Sequence, residues 1–245
     1  MKRKYKYLFI VTFVLILITS VLFWYLRPYE PMDRAEKVFD NTHQSISVID
    51  KNWLVFKPRN NEINTGVIIY PGARVKPRSY RPLALEIAKS GSLVVIVPMP
   101  LNLAVLGINK ADKVIKKYSK VKNWVIGGHS LGGAMASRYT YYNTNKVSGL
   151  VLMASYPSEN NDLSNKKIRT LSIYGTKDGI TDIKKIKKSK EILPKNTTWI
   201  KIKGGNHSQF GWYGFQDGDK KASISRRKQQ NIIVNDIINF LSTFD

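Results

Sequence analysis

Short, continuous runs of apolar residues recur along most of the chain. They are Val67–Tyr70, Leu93–Val97, Trp124–Ile126, Leu150–Ala154 and Thr170–Tyr174. Each run is bounded by turn residues, such as the Pro71-Gly72 pair after the first. Continuous rather than alternating apolar runs are typical of strands covered on both faces, as in a parallel sheet. Residues 46–56 precede these runs and predict a hairpin at the sheet edge.

Helical patterns fill the segments between the predicted strands. Ser79 is expected to cap a helix that ends near Gly91, and Ile108 begins an apolar stripe that continues to Tyr118. Further helices are predicted just after Ser130, from about residue 181 to 193, and from about 223 to 241. Strands that alternate with helices predict an α/β domain over residues 46–245, with a mostly parallel sheet and helices on both faces.

Residues 8–26 form a stretch of 19 residues without a charge. As a helix this stretch spans about 28 Å, close to the hydrocarbon thickness of a bilayer, and it predicts a transmembrane anchor. A cleaved signal peptide is the main alternative, although it favours a shorter apolar core and small residues at the cleavage site. This stretch ends in bulky residues, Phe23 to Leu26. A buried core helix is the third interpretation.

The charges that flank the anchor predict its orientation. Residues 1–7 contain Lys2, Arg3, Lys4 and Lys6, a density that favours a cytoplasmic stub and places the rest of the chain outside the cytoplasm. Residues 27–45, with Pro28 and Pro31, are expected to tether the domain to the membrane. The chain contains no cysteine, which agrees with this location and excludes a lipoprotein anchor, a thiolate metal site and a cysteine nucleophile. No residue pattern indicates a cofactor or a metal.

The segment from Gly127 to Gly133 reads GGHSLGG and lies between a predicted strand and a predicted helix. Gly128-x-Ser130-x-Gly132 is the pattern of a nucleophile elbow, a sharp turn that lifts a serine oxygen clear of the sheet. Side chains two positions before and after the serine would clash with a neighbouring strand and helix, so glycine is required there. A glycine-rich turn with an idle serine is the alternative.

A serine nucleophile needs a histidine base oriented by a carboxylate, and this architecture places them in the order serine, acid, histidine. His207 is the only histidine downstream of Ser130; His129 is expected to pack or hydrogen-bond and His43 to lie at the surface. Asp178 is the best acid because it follows a predicted strand. The other candidate acids are Asp182, which is expected to cap a helix, and Glu159 and Asp162.

Two backbone amides are candidates for an oxyanion hole. The Leu131 N–H lies at the start of a predicted helix, where a developing negative charge is stabilised. The second donor should come from the loop after the first buried strand, and we expect the Ala73 N–H, with Gly72 as the alternative.

From about residue 64 to 241 the chain resembles the α/β-hydrolase superfamily, and within it the small lidless bacterial members related to dienelactone hydrolases. The phrases GGHSLGGAMA, YGTKDG and GGNHSQFG match in order. The resemblance implies Ser130 as nucleophile, Asp178 as acid and His207 as base, with carboxylic-ester chemistry as the superfamily default. Pro71-Gly72 stands where many lipases and esterases carry His-Gly.

Only about 15 residues, 155–169, separate two predicted strands, which leaves no room for a helical cap and predicts an open site. Tyr156, Phe210, Trp212 and Tyr213 are candidates to line it.

The chain carries 40 Lys and Arg residues against 17 Asp and Glu, a net charge of +23. Lysines crowd residues 184–190, and Arg226, Arg227 and Lys228 lie on another predicted helix. These charges either form solvated helix faces in a chain rich in lysine, or contact anionic lipid or wall polymer. Nucleic acid is disfavoured because no reader motif is present. The predicted function is therefore a membrane-anchored extracytoplasmic serine hydrolase that acts on a small acyl or ester substrate. The alternatives are an acyltransferase that modifies a cell-surface alcohol and a non-catalytic, surface-binding protein.

Overall fold

An eight-stranded sheet forms the centre of the protein in a computed structural model that describes residues 2–38, 45–59 and 62–244. The strands are β1 Ile46–Asp50, β2 Leu54–Pro58, β3 Thr65–Tyr70, β4 Leu93–Ile96, β5 Asn123–His129, β6 Gly149–Met153, β7 Arg169–Gly175 and β8 Thr198–Ile202. Their order across the sheet is β1-β2-β4-β3-β5-β6-β7-β8. The β1–β2 hairpin runs antiparallel at one edge, and the remaining strands are parallel from β4 to β8.

Seven α-helices accompany the sheet within the described residues: α1 Lys2–Tyr25, α2 Asp33–Glu36, α3 Arg81–Lys89, α4 Lys110–Lys117, α5 Leu131–Tyr142, α6 Ile183–Lys188 and α7 Arg226–Leu241. Helices α3 and α7 pack on one face of the sheet, where Leu83, Ile87 and Ile233 join its core. Helices α4 and α5 supply Val114 and Tyr139 to the core on the other face. The predicted α/β class is confirmed, and every residue of β3, β4 and β6 is buried, as their continuous apolar runs predict.

Two details of the predicted helices differ from the structure. The predicted cap at Ser79 is wrong: α3 begins at Arg81 after a 3₁₀ turn, and Pro82 occupies its first turn, where a missing N–H is tolerated. The Ser79 hydroxyl is buried and has no hydrogen-bond partner among the described residues. Helix α6 is shorter than predicted and passes into a 3₁₀ turn at Ser189.

Helix α1 is the only helix in the described part of the chain that is long and apolar enough to cross a membrane. None of the window Lys4–Val21 is buried against the domain. At about 1.5 Å per residue the 24 residues of α1 extend for about 36 Å. Length and composition therefore suit a membrane span, although a signal sequence meets the same criteria.

Residues 27–38, the described part of the predicted tether, lie against the α/β domain; we call them the juxtamembrane segment. Tyr29 forms a parallel bridge with Val75, and Pro31 forms an antiparallel bridge with Tyr213. Ala35 is fully buried. A free tether would make none of these contacts, so this segment is packed as part of the domain.

An ion pair adds to this attachment. Glu36 lies 2.8 Å from a guanidinium nitrogen of Arg81, a side chain that is only 1% exposed. Because the Glu36 side chain is 44% exposed, solvent screens the pair and its contribution is at most about 1 kcal/mol.

We predict that deleting residues 1–26 leaves the domain as stable as the complete chain, whereas deleting residues 1–38 destabilises it. The longer deletion removes the three backbone hydrogen bonds of Tyr29 and Met32 to the domain, a loss of about 3 kcal/mol at about 1 kcal/mol each, which corresponds to a fall of roughly 10 °C in Tm for a domain of this size. Thermal unfolding of the two truncated proteins measures the difference. Equal Tm values would contradict the packing of the juxtamembrane segment described above.

Candidate active site

Ser130 occupies the sharp turn between β5 and α5. Its backbone has φ 53° and ψ −124°, a strained combination for a residue other than glycine. Hydrogen bonds from neighbouring segments fix the turn: the Ser130 N–H donates to the Met153 carbonyl at 3.0 Å, and Ser155 Oγ donates to the Ser130 carbonyl at 2.7 Å. The serine is half-buried, so its side chain remains accessible from solvent.

Two glycines allow the backbone to approach itself on either side of this serine. A Cβ on Gly128 would overlap the backbone of Gly132, and a Cβ on Gly132 would overlap the carbonyl oxygens of Tyr70 and Pro71. The predicted crowding of the elbow is therefore present. It also brings the first turn of α5 against the loop that follows β3.

His207 and Asp178 form a buried pair beside this turn. His207 Nδ1 lies 2.9 Å from Asp178 Oδ2, and both side chains are fully buried. Because a carboxylate only accepts, the proton of the bond lies on Nδ1. Thr181 Oγ1 lies 3.1 Å from the same Nδ1 and donates its own proton to the Ala154 carbonyl at 2.9 Å, so it also serves as an acceptor.

Backbone amides hold Asp178 in place. Its Oδ1 accepts the N–H groups of Ile180 at 2.9 Å and Thr181 at 2.7 Å, which leaves Oδ2 for the histidine. The other candidate acids lie elsewhere: Asp182 caps α6, as predicted, by accepting the Lys184 N–H at 2.8 Å.

Glu159 and Asp162 are both exposed. Glu159 pairs with Lys188 at 2.9 Å, and Asp162 accepts the Ser164 N–H at 2.8 Å. Of the four carboxylates considered, Asp178 is the one whose oxygen contacts His207.

The remaining ring nitrogen of His207, Nε2, is buried and has no hydrogen-bond partner among the described residues. No hydrogen bond joins it to Ser130 within that part of the chain. The ring does lie close to the elbow, because its centroid is 4.4 Å from that of His129, the residue before Ser130. Catalytic hydrogen bonds are often long before substrate binds and shorten in the complex.

His129 is buried beneath the elbow and links it to the loop after β3. Its Nδ1 lies 2.9 Å from the Tyr80 hydroxyl, which in turn accepts the Gly72 N–H at 3.0 Å. Burial and, to a lesser extent, the neighbouring His207 lower the pKa of His129 well below its usual value, so the ring is neutral at pH 7. Its ring stacks on Phe210, in agreement with the predicted packing role. His43 lies outside the described residues.

The hydrogen bond from Gly72 to Tyr80 distinguishes between the candidate oxyanion donors. The Gly72 N–H is already donated to Tyr80. Within the described residues, the amides of Ala73 and Leu131 donate to no acceptor, whereas those of Arg74 and Val75 donate to the carbonyls of Asn102 and Gly72. Leu131 also begins α5, where the helix dipole favours a negative charge.

Asp219 is a functional candidate that the sequence pattern did not indicate. Its carboxylate accepts both the N–H and the hydroxyl of Ser208, at 2.8 and 2.7 Å, and the N–H of His207 at 3.3 Å. It also accepts the Gly179 N–H at 3.0 Å. One side chain therefore ties the loop of the histidine to the loop of Asp178.

The surroundings of the site are open. The connection from β6 to β7, residues 154–168, contains no helix, so no cap is inserted there. Tyr156 lines a cleft of about 720 Å³ whose lining includes neither Ser130 nor His207, so its place in the active site stays a prediction. Phe210 and Tyr213 are fully buried and belong to the core instead. Trp212 is half-buried beneath Arg34.

Two further features lie outside this site. A larger cleft, about 810 Å³, lies far from Ser130 at the amino edge of the sheet, and Lys122 and Arg169 line it. Among the described residues, no group of three histidine or acidic side chains could hold a metal ion.

The sequence matches the profile of the alpha/beta hydrolase family over residues 66–231. The chain belongs to this family. The match contains the elbow, the Asp178 loop and the His207 loop of this alpha/beta hydrolase and ends within α7. Among curated proteins, no sequence matches the chain significantly.

Solved structures of low sequence identity share the fold of this alpha/beta hydrolase. A predicted CIB-like hydrolase from Thermoplasma acidophilum is 19% identical with a TM-score of 0.56, over 79% of this chain and 97% of that one. A hyperthermophilic esterase from Pyrobaculum calidifontis is 15% identical with a TM-score of 0.61, over 84% and 89%. Est1E from Butyrivibrio proteoclasticus is 13% identical with a TM-score of 0.59, over 82% and 98%.

We predict that Gly132→Ala destabilises this alpha/beta hydrolase by about 3 kcal/mol, because the added Cβ would overlap the carbonyl oxygens of Tyr70 and Pro71. Gly214→Ala is the matched control, since a Cβ there meets nothing within 4 Å, and its effect should stay within about 0.5 kcal/mol. Urea unfolding measures both. Equal stability of the two variants would mean that the elbow has room for a side chain.

Proposed function

We propose that the protein is a serine hydrolase that cleaves carboxylic esters. The observation that carries the proposal is the buried hydrogen bond between His207 and Asp178, beside a strained turn that presents Ser130. A histidine held in this way has a free Nε2 that can accept a proton. The similar structure from Pyrobaculum calidifontis is that of an esterase, which supports an ester as the substrate.

In the proposed reaction, Ser130 Oγ attacks the carbonyl carbon of the ester and His207 Nε2 takes its proton. Asp178 keeps the opposite proton on Nδ1 and stabilises the imidazolium that forms. The leaving alcohol then takes the proton from Nε2, and an acyl group remains on Ser130. Water, deprotonated by the same nitrogen, attacks this acyl group; the bond from the acyl carbon to Ser130 Oγ breaks, Oγ takes the proton from Nε2, and the acid is released.

The amides of Leu131 and Ala73 are the proposed donors that stabilise the negative charge developing on the carbonyl oxygen. These N–H groups have no acceptor among the described residues, so they need not break a bond in order to bind the oxyanion. Donors of this kind stabilise the transition state by about 3 kcal/mol each. Tyr80 supports the arrangement by holding the Gly72 amide next to Ala73.

We further propose that α1 anchors the enzyme in the membrane with its basic amino end in the cytoplasm and its catalytic domain outside. The support comes from the length and apolar composition of α1 and from the cluster of Lys and Arg in residues 1–7. The lysines at positions 184, 185, 187 and 188 are all exposed, and anionic lipid or wall polymer is their proposed partner.

Labelling with a fluorophosphonate probe tests the proposed function without knowledge of the substrate. The complete protein should react with the probe, and Ser130→Ala should abolish labelling because it removes the nucleophile. Ser158→Ala is the matched control: this serine is exposed on a neighbouring loop and should not affect the rate. Retained labelling in Ser130→Ala would overturn the proposal.

The same measurement tests the assignment of the acid. Asp178→Asn should slow labelling by a factor on the order of 10⁴, because an amide cannot hold the histidine in the required tautomer. Asp182→Asn should leave the rate unchanged, since Asp182 only caps α6. The reverse pattern would show that Asp178 is not the acid.

A further inference from the structure

The juxtamembrane segment contacts both loops that carry the proposed active site. The Tyr29 N–H donates to the Arg74 carbonyl at 2.6 Å, and the Lys76 N–H donates to the Tyr29 carbonyl at 3.1 Å. This bridge lies one residue beyond Ala73, the proposed oxyanion donor. The Met32 N–H donates to the Trp212 carbonyl at 2.8 Å, in the loop that follows His207.

The connection between α1 and this docked segment is very short. Helix α1 ends at Tyr25, so that only residues 26–28 separate it from Tyr29. Even fully extended, this connection spans about 14 Å. The side chain of Arg74 also holds this connection, because Arg74 Nε donates to the Arg27 carbonyl at 3.2 Å. The oxyanion loop is therefore held close to the end of α1.

Exposed apolar side chains cluster on the same side of the domain. Outside α1, seven large hydrophobic side chains of the described residues are exposed, and five of them belong to loops at the carboxyl edge of the sheet. We call these five the apolar rim: Met32 (41% exposed), Leu101 (62%), Val105 (47%), Leu106 (53%) and Phe215 (52%).

Three connections place the apolar rim around the active site. Asn102, next to Leu101, accepts the Arg74 N–H at 2.9 Å. The turn that contains Val105 packs against α5, which begins directly after Ser130. Phe215 follows the His207 loop, to which Met32 is also bonded. Apolar side chains concentrated in this way indicate an interaction surface, whereas isolated ones do not.

We propose that the apolar rim lies in the interface of the lipid leaflet that α1 enters, so that Ser130 acts on acyl esters presented by that leaflet. The inference rests on the proposed membrane anchor and on the proposed function of Ser130. A lipid leaflet is the occupant that fits, because only residues 26–28 separate α1 from the docked segment that bonds to the loops beside the rim. Apolar side chains beside an anchor are stabilised when they enter the acyl boundary.

Site-directed labelling tests the location of the rim independently of catalysis. Since the chain has no cysteine, a single cysteine at Leu106 or Phe215 can carry a nitrobenzoxadiazole label in the complete protein. Tyr142→Cys is the matched control, because Tyr142 is 66% exposed but lies at the far end of α5. The protein is reconstituted in vesicles of phosphatidylcholine and phosphatidylglycerol, and doxyl-labelled lipids quench any label within the leaflet.

We expect quenching at residues 106 and 215 to exceed that at residue 142 by roughly threefold or more. Equal quenching at all three positions would overturn the inference. Failure of the complete protein to float with the vesicles would overturn the proposed anchor and the inference together.

A spacer tests whether the short connection sets the substrate. A flexible Gly/Ser segment of about 20 residues between Leu26 and Arg27 would let the domain move about 25 Å from the membrane. The ratio of turnover of a fluorogenic phospholipid ester in the vesicles to that of a soluble short-chain ester should fall about tenfold. The same spacer inserted after Met1, on the other side of α1, is the control and should leave the ratio unchanged.

An unchanged ratio with the spacer at Arg27 would overturn the lipid-ester assignment. Absence of turnover of both esters would overturn the proposed hydrolase function and with it the lipid-ester substrate, while quenching at residue 106 would still report the position of the rim.

Discussion

Backbone packed directly against backbone at the strand-to-helix turn is the constraint on which the site depends. The first turn of α5 touches the carbonyls of Tyr70 and Pro71 because Gly132 has no side chain, and Gly128 permits the contact from the other side. The turn in between holds Ser130 at a positive φ. The same contact brings the start of α5 against the loop of Ala73, so that the two proposed oxyanion donors come from segments that touch each other.

Two carboxylates organise the remainder of the site. Asp178 uses one oxygen for backbone amides and the other for His207, which fixes the orientation of the ring. Asp219 bonds to the loops of both residues and limits their relative movement. The juxtamembrane segment then binds the loop after β3, through Val75, and the loop after His207, through Tyr213. The apolar helix α1 therefore continues, within a few residues, into the supports of the proposed active site.

Local pattern predicted the sheet, the elbow and the main candidate residues, because each depends on short-range chemistry. Continuous apolar runs predict buried strands, and glycines around a serine predict a crowded turn. Thr181 contacts His207, 26 residues away, Tyr80 contacts His129, 49 residues away, and Asp219 contacts Gly179, 40 residues away. Bonds of this length follow no sequence period. The docking of residues 27–38 was missed for a related reason: prolines predict an extended segment, and an extended segment that pairs with a loop has the same sequence pattern as a free one.

The measurement that tests the proposed mechanism most directly is a crystal structure of the fluorophosphonate adduct, in which a phosphonyl oxygen stands in for the oxyanion. The mechanism predicts phosphorus bonded to Ser130 Oγ and the phosphonyl oxygen within about 3 Å of the amides of Leu131 and Ala73. It also predicts that the Gly72 N–H still donates to Tyr80. A phosphonyl oxygen bound by Gly72 instead of Ala73, or phosphorus on a residue other than Ser130, would contradict it.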